Sequence, residues 1–413
     1  MPATTAETVR SATSPLVIAL AGALSLSVAM GIGRFAFTPL LPMMLNDGVI
    51  TINGGSVLAT ANYIGYLVGA IFCMVLPAIL IRIGLRMPSN AAMVRFGLLA
   101  TALLTAAMAL DMPWLWSALR LSSGIISAVV FVYTSGWCLK RLAEMNALSL
   151  SGIIYTGPGI GITISGFAAF GMSAADGSSG QAWIAFGILA GLLSAVIWPI
   201  FRADRTTKAQ TQNHGQSDAA KPERWTAEHL ILAFAYGLAG FGYIITATFL
   251  PVIAKETLGN SVWIDLFWPV FGIGVAAGAV MTRVIPLAID RRLLLVLCYL
   301  IQAVGVVAAL ILPSVLGFLI GSTLVGLPFT VITLFGMQEA RRLRPHDATS
   351  FMALMTAAYG IGQIAGPPLA AAILAGSASH AAGFSLSLIT ASSTLVLGAV
   401  LYALLFWRYP VGR

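Results

Sequence analysis

Twelve long apolar runs divide this chain, and they constrain its fold more than any other feature of the sequence. A helix needs about 20 predominantly apolar residues to cross the roughly 30 Å hydrocarbon core of a bilayer. The runs reach or exceed this length, so we predict twelve membrane-spanning helices. The predicted spans cover residues 15–45, 56–81, 90–110, 113–138, 147–172, 181–201, 228–252, 262–283, 291–312, 315–337, 349–374 and 383–407.

The composition agrees with a membrane protein. Hydrophobic residues make up 59% of the 413 residues and charged residues 9%, whereas soluble domains carry about 25% charged residues. The net charge of +8 comes from arginines and lysines that separate the apolar runs. They form no basic stripe, so we do not expect nucleic acid as a partner. We predict an all-α polytopic membrane protein that is surrounded by the lipid bilayer.

The cations also predict the orientation of the chain. With twelve spans, the loops on one side hold nearly all of the arginines and lysines, and the opposite loops hold only Lys255. Loops rich in lysine and arginine stay in the cytoplasm. We therefore expect both termini, and the polar segment between the sixth and seventh spans, to be cytoplasmic.

The sequence is internally duplicated at an offset of 209 residues. Six spans per half is an even number, so both halves enter the membrane from the same side, as in transporters built from parallel repeats. We predict an N-terminal bundle over residues 1–201, a linker over 202–225 and a C-terminal bundle over 226–413. The matched positions include Gly31 and Gly240, Pro42 and Pro251, Gly65 and Gly274, and Gly157-Pro158 and Gly366-Pro367.

Arg34 is the strongest indication of a functional site within the membrane. It lies about nine residues from the end of the first span, which is roughly 13 Å along a helix. A cation at such depth costs roughly 2.5 kcal/mol or more, and is by default a functional hypothesis. The alternative is a side chain that extends to the interface, which would be a long reach. We predict that Arg34 faces inward and binds substrate.

Other residues are predicted to join Arg34. Arg120 lies at a similar depth in the fourth span, and two guanidinium groups would suit a carboxylate or another oxyanion. The alternative for Arg120 is structural, with bonds to backbone carbonyls that hold the spans together. Tyr243 is the repeat mate of Arg34. The other predicted binding residues, Tyr63, Tyr359 and Gln363, lie in glycine-rich segments, and each has the alternative of bonding between helices.

Groups that carry protons are scarce in the predicted spans. Asp265, about one turn inside the eighth span, is the one acid that we assign to proton coupling. Coupling through protonation of the cargo itself, and facilitation without coupling, stay open. The three cysteines have no metal-ligand spacing and no nucleophile motif is present, so we expect no cofactor, no metal and no enzymatic activity.

The duplicated plan resembles the major facilitator superfamily. In the loop after the second span the family has a glycine followed by an acidic residue. In this chain Pro77 stands in place of that glycine and Ile81 in place of the acidic residue. Residues 31–42, 62–70 and 360–367 are similar to motifs of its bacterial YbfB/YjiJ-type branch. The superfamily motifs are Arg82-Ile83-Gly84-Leu85-Arg86 after the second span, Asp290-Arg291-Arg292 after the eighth, Arg120-Leu121-Ser122-Ser123-Gly124 in the fourth and Gly157-Pro158 in the fifth.

This resemblance implies two bundles that rock around a central cavity lined by the first and fourth spans, and hence by Arg34 and Arg120. It also implies a bacterial inner-membrane location. Charged loops and glycine–proline pairs at the bundle interface are expected to take part in gating. The coupling or gating residues that we predict are therefore Asp265, Gly157, Pro158, Gly366, Pro367, Asp290, Arg291 and Arg82.

Our functional hypothesis is a monomeric secondary transporter that works by alternating access. The favoured cargo is a small organic solute, either an organic anion or an amphipathic metabolite, and protons stay an open coupling partner. One alternative is multidrug or sugar efflux by the same fold. An alternative from another class is a membrane sensor or receptor that binds a ligand without transporting it.

Overall fold

Within the part of the chain that the structure describes, twelve helices are long and apolar enough to span a membrane, and the chain is a multi-pass membrane protein. This computed structural model describes residues 14–86, 88–202, 225–259, 261, 263–286, 289–345 and 348–410. All twelve predicted spans and the all-α class are confirmed, and the described residues contain no strand. The helices are α1 Pro15–Asn46, α2 Ile52–Arg82, α3 Asn90–Ala107, α4 Pro113–Glu144, α5 Leu148–Ala174, α6 Ser179–Ile197, α7 Ala227–Leu258, α8 Ile264–Met281, α9 Arg291–Ile311, α10 Val315–Leu343, α11 Ser350–Ala375 and α12 His380–Arg408.

The predicted linker lies largely outside the described residues, because residues 203–224 are not among them. The same holds for the terminal segments 1–13 and 411–413. The boundaries between bundle and linker therefore stay a prediction.

The surface of the helices is apolar, as a bilayer requires. Leu103, Leu192 and Trp407 are among the large hydrophobic side chains that are exposed. Polar side chains turn inward and find partners there: Ser25 Oγ and Thr134 Oγ1 lie 2.8 Å apart between α1 and α4. Because unpaired polar groups are costly in hydrocarbon, this arrangement stabilises the helices in lipid and not in water.

Helix contacts in the first half of the chain recur in the second half. In the first half α1 packs against α4 and α5, α4 also contacts α2 and α3, and α3 contacts α6. In the second half α7 packs against α11 and α12, α10 contacts α8 and α9, and α9 contacts α12. The two six-helix bundles meet where α2 lies against α11, α5 against α8, and α1 against α7.

Two pairs of repeat mates touch each other between the bundles. Thr38 Oγ1 donates to the carbonyl of Ala247 at 2.6 Å, and these residues are 209 positions apart. Lys255 Nζ donates to Asn46 Oδ1, again across 209 positions. A residue and its mate can touch only near the axis that relates the two copies. Helices α1 and α7 therefore line this axis, where residues 25–44 and 242–254 are all buried.

Glycine sets the distance between α1 and α5. A Cβ atom on Gly161 would lie 2.3 Å from the carbonyl oxygen of Ser27, and one on Gly31 would lie 2.3 Å from the backbone of Gly161. Such distances are far below van der Waals contact, so the two backbones meet with no side chain between them.

The substitution Gly161→Ala should destabilise the N-terminal bundle, because the added methyl group meets rigid backbone. We expect the free energy of unfolding to fall by about 1–3 kcal/mol, the usual cost of overpacking. Unfolding of the purified protein in detergent measures this loss. Gly171 on the same helix is the matched control, since a Cβ atom there meets nothing within 4 Å. Equal stability of Gly161→Ala and Gly171→Ala would contradict the close approach of α1 and α5.

Candidate functional site

Helix α1 is irregular in its middle, next to Arg34. An α-helix over Pro15–Leu26 is followed by a π-helical turn over Ser27–Ile32, a turn over residues 33–36, and a second α-helix over Phe37–Asn46. The amides of Gly33 and Phe35 bond carbonyls five residues earlier, at 2.9 and 3.0 Å. Such π-turns are frequent at functional sites, and this one releases carbonyls from the usual helical pattern. Helix α7, the repeat mate of α1, is a continuous α-helix.

Arg120 bonds the carbonyls released by this break. Its Nη1 donates to the carbonyl of Gly33 at 3.2 Å, and its Nη2 donates to that of Arg34 at 3.0 Å. Ser123 Oγ donates to the same Gly33 carbonyl at 2.6 Å. Asn62 Nδ2 donates to the carbonyl of Arg120 at 3.0 Å and joins α2 to α4. These contacts are those of the structural alternative for Arg120, whereas its predicted contact with substrate stays a prediction.

The Arg34 side chain lies in the interior, with only 3% of its surface exposed. Its Nη2 donates to Gln363 Oε1 at 2.8 Å. Its Cζ lies 4.0 Å from the ring centre of Tyr66 and 5.3 Å from those of Tyr63 and Phe35, so π-faces supply further attraction. Within the described part of the chain, no carboxylate forms an ion pair with Arg34, and its Nε is buried without a hydrogen-bond partner.

The residues around Arg34 come from both bundles. Gln363 on α11 donates from Nε2 to the hydroxyl of Tyr243 on α7. Tyr63 on α2 and Thr248 on α7 share a hydrogen bond of 3.0 Å between their hydroxyl oxygens. The ring of Tyr359 stacks on Tyr243, with centroids 5.9 Å apart. The structure thus brings five of the six predicted binding residues into one group, which we call the Arg34 cluster: Arg34, Tyr63, Tyr243, Tyr359 and Gln363.

Aromatic rings surround the Arg34 cluster, and most of them were not predicted. Phe35 lies next to Phe329 and Trp268, with centroid distances of 6.1 and 6.2 Å. Phe329 also contacts Tyr243 at 4.9 Å. Trp268 Nε1 is buried without a hydrogen-bond partner among the described residues. The sequence signals for this set were that Phe35 follows Arg34 and that Trp268 lies deep in the eighth predicted span; the other rings come from distant spans.

The predicted coupling and gating residues are not members of the Arg34 cluster. Asp265 is half-buried in the first turn of α8 and interacts with Ser173 of α5. Helix α5 is interrupted at residues 155–156, just before Gly157-Pro158, and the carbonyl of Gly157 accepts a hydrogen bond of 2.8 Å from Ser27. Gly366 packs against Ile244, and α11 continues as a helix through Pro367. Arg82 is exposed at the end of α2.

A buried charged group lies where α9 begins, and it centres on Arg292 and not on the predicted Arg291. The carboxylate of Asp290 caps α9 by accepting from the Arg292 amide at 2.8 Å. Arg291 is half-buried, and its Nη1 donates to the carbonyl of Pro286 in the preceding loop at 3.2 Å. Arg292 is 1% exposed; it donates to Glu339 at 2.5 Å and also pairs with Glu228. These contacts join α7, α9 and α10 of one bundle, so the group stabilises the C-terminal bundle itself.

Comparisons with known proteins identify one matching family and several solved structures with a similar fold. A family model described as "Uncharacterised MFS-type transporter YbfB" matches residues 26–403. The structure of a mutant of the nucleoside transporter NupG is similar with a TM-score of 0.72 at 11% identity, over 94% of this chain and 100% of that one.

A bacterial homologue of the human lysosomal transporter Spinster, in an inward-facing and occupied conformation, is similar with a TM-score of 0.67 at 14% identity, over 95% of this chain and 97% of that one. At these identities the likeness shows a shared fold alone. No curated protein sequence matches the chain. Among the described residues, no group of three or more His, Cys, Asp or Glu side chains is placed to hold a metal ion.

The substitution Arg120→Met should destabilise the protein, since the carbonyls of Gly33 and Arg34 would lose charged donors. Each such hydrogen bond contributes roughly 1.5–3 kcal/mol, against about 0.5–1.5 kcal/mol for the neutral bond lost in Ser123→Ala. Thermal unfolding of both purified variants should therefore rank Arg120→Met as the less stable. Wild-type stability of Arg120→Met would show that the broken backbone of α1 does not need this support.

The substitution Glu339→Gln should also destabilise the C-terminal bundle, because it leaves the buried charge of Arg292 with one partner fewer. Breaking a buried ion pair costs roughly 3–5 kcal/mol. Glu144→Gln removes a carboxylate that is 45% exposed and pairs with Lys140 and Arg141 on the surface, so its expected cost is below about 1 kcal/mol. Equal unfolding temperatures of the two variants would contradict a structural role for Glu339.

Proposed function

This chain belongs to the YbfB-type family of transporters in the major facilitator superfamily, and from that premise we propose that it moves a small organic anion across the membrane by alternating access. The observation that carries the proposal is the buried guanidinium of Arg34 between the two bundles, without a carboxylate partner among the described residues. A membrane-buried cation needs compensation, and an anionic cargo supplies it. Arginine is well suited because its planar donors match a carboxylate in two parallel hydrogen bonds.

We propose that the amide oxygen of Gln363 lies where an oxygen of the cargo binds. Arg34 belongs to the N-terminal bundle and Gln363 to the C-terminal bundle, so their 2.8 Å hydrogen bond joins the two. A carboxylate is a stronger acceptor for a guanidinium than a neutral amide is. We expect the cargo to displace Gln363 Oε1 and to accept a hydrogen bond from Gln363 Nε2 or from the hydroxyl of Tyr243. Binding would then replace the Arg34–Gln363 hydrogen bond between the bundles. A ligand shifts a conformational equilibrium when its contacts differ between the two conformations, and this replacement would be such a difference.

We assign supporting roles to the neighbouring residues. Arg120 is a positioning residue, because both of its Nη atoms hold the backbone that carries Arg34. Tyr63 and Tyr359 supply hydroxyl groups and ring faces at the edge of the Arg34 cluster. We leave Asp265 as the candidate for proton coupling; its side chain interacts with Ser173 and Lys255.

The membrane location and orientation are part of the proposal. We place the protein in a bacterial inner membrane as a monomer with cytoplasmic termini, since the basic residues lie at the ends of the helices that lead to the termini. We propose no enzymatic activity for it.

The alternatives explain the Arg34 cluster less well. A neutral cargo, of the kind named for the nucleoside transporter NupG, would leave the guanidinium without a counter-charge. Efflux of cationic drugs would place two positive charges together. A sensor that reuses the fold would bind its ligand without net flux, and a transport measurement separates it from a carrier.

The substitution Arg34→Gln should reduce carboxylate uptake at least tenfold, because it removes a charged hydrogen bond worth roughly 1.5–3 kcal/mol. Uptake of radiolabelled acetate, succinate and benzoate into proteoliposomes, corrected for protein-free liposomes, measures this effect. Arg34→Lys should retain part of the activity, since it keeps the charge but not the two-pronged geometry.

Arg95→Gln is the matched control. Arg95 lies on α3 and donates to the carbonyl of Trp198 at 2.9 Å, outside the Arg34 cluster, so uptake should not change. Normal uptake of any of these carboxylates by correctly folded Arg34→Gln would remove the proposed site.

A further inference from the structure

We infer that the cargo of the Arg34 cluster is an aromatic monocarboxylate, whose carboxylate binds Arg34 and whose ring packs among the side chains that meet between the bundles. This inference rests on the proposed transport of organic anions and specifies its substrate class. It follows from three separate features of the structure: the number of available guanidinium groups, the rings that face each other across the bundle boundary, and buried polar atoms that have no partner.

The number of free guanidinium groups limits the charge of the cargo. Nη1 and Nη2 of Arg120 each donate to a backbone carbonyl of α1, those of Gly33 and Arg34, so this side chain is held on the backbone. Nη2 of Arg34 donates to Gln363, a neutral partner that an anion can replace. We therefore assign Arg34 alone to the cargo, and one guanidinium matches one negative charge. A dicarboxylate would bring a second charge into an apolar region that offers it no partner among the described side chains.

Rings from both bundles meet beside this arginine. Phe35 of the N-terminal bundle contacts Trp268 at 6.2 Å and Phe329 at 6.1 Å, and both of these belong to the C-terminal bundle. These separations lie in the range that aromatic pairs prefer. When the bundles separate during alternating access, the contacts of Phe35 with Trp268 and Phe329 break, and the faces of these rings become exposed. A planar aromatic ring fits between such faces and replaces the lost contacts, whereas a saturated ring has no π-face to offer.

The rings extend as one continuous series away from Arg34. Phe329 contacts Tyr243 at 4.9 Å, and Tyr359 stacks on Tyr243 at 5.9 Å. On the other side of Phe35, Trp268 stacks on Phe271 at 4.9 Å. The guanidinium lies 5.3 Å from the Phe35 ring, so a carboxylate on Arg34 would be within about one ring width of this series.

Unpartnered polar atoms indicate that this region is built for a ligand and is not only a packed core. Trp268 Nε1 is buried and has no hydrogen-bond partner among the described residues. Trp268 is fully buried, and an indole N–H in such a place usually finds an acceptor. The Nε of Arg34 is a second such atom. An oxygen-bearing aromatic acid supplies acceptors for these donors, which an all-apolar core does not.

Binding to the purified full-length protein tests the inference. The probes are benzoate, cyclohexanecarboxylate and phthalate, which share a six-membered ring and differ in aromaticity or in charge. We expect benzoate to bind about three- to tenfold more tightly than cyclohexanecarboxylate, the gain typical of one or two aromatic contacts. We expect phthalate to bind more weakly than benzoate. Equal affinity for the first two probes, with both lost in Arg34→Gln, would overturn the aromatic assignment and leave anion transport intact.

The substitution Phe35→Leu tests the ring directly, because leucine keeps apolar volume and removes the π-face. The affinity for benzoate should fall three- to tenfold, while that for cyclohexanecarboxylate should stay within twofold. Phe167→Leu is the matched control, since Phe167 is exposed on the lipid-facing side of α5. An unchanged benzoate preference in folded Phe35→Leu would overturn the inference. Carboxylate binding that is equally strong in wild type and Arg34→Gln would overturn the anion proposal as well.

Discussion

A positive charge held inside the membrane, with no carboxylate partner among the residues that the structure describes, is the constraint around which this protein is organised. Only 3% of the surface of Arg34 is exposed, and its guanidinium is compensated by one amide oxygen and three ring faces. Neutral partners of this kind lower the cost of burial without cancelling the charge. We therefore propose that these neutral partners stabilise the buried charge and that an anionic cargo stabilises it further.

The position of this charge depends on a break in α1 that the second half of the chain does not repeat. The π-helical turn over Ser27–Ile32 is packed by Gly161 and bonded by Ser27 to the carbonyl of Gly157. Arg120 and Ser123 bond the backbone just after it. Helix α7 is uninterrupted, so Tyr243 lies on a regular helix. Gln363 bonds both Tyr243 and Arg34 and connects the two. A duplicated fold thus produces an asymmetric site, charged on one side of the axis and neutral on the other.

The twelve spans and the repeat could be predicted because they depend on hydrophobic length and on a constant offset, which a sequence displays directly. The structure agrees with this offset, because Thr38 contacts Ala247 and Asn46 contacts Lys255, and the residues of each pair are 209 positions apart. The π-turn could not be predicted, since it depends on partners from α4 and α5. For the same reason the sequence left both roles of Arg120 open. The assignment of Arg291 to gating stays a prediction, and the sequence did not indicate that the neighbouring Arg292 is the arginine buried against Glu228 and Glu339. The aromatic rings beside Arg34 come from separate spans, so no local pattern marks them as one group.

The most direct measurement of the central claim is a double-mutant cycle between Arg34 and the charge of the ligand. Benzoate and benzamide differ in charge but little in shape, and their affinities for the wild type and for Arg34→Gln give the coupling between the two charges. If Arg34 is the counter-charge of the cargo, the coupling energy is about 1.5–3 kcal/mol, and the preference for benzoate disappears in the variant. A variant that discriminates between the two ligands as well as the wild type does would contradict the account.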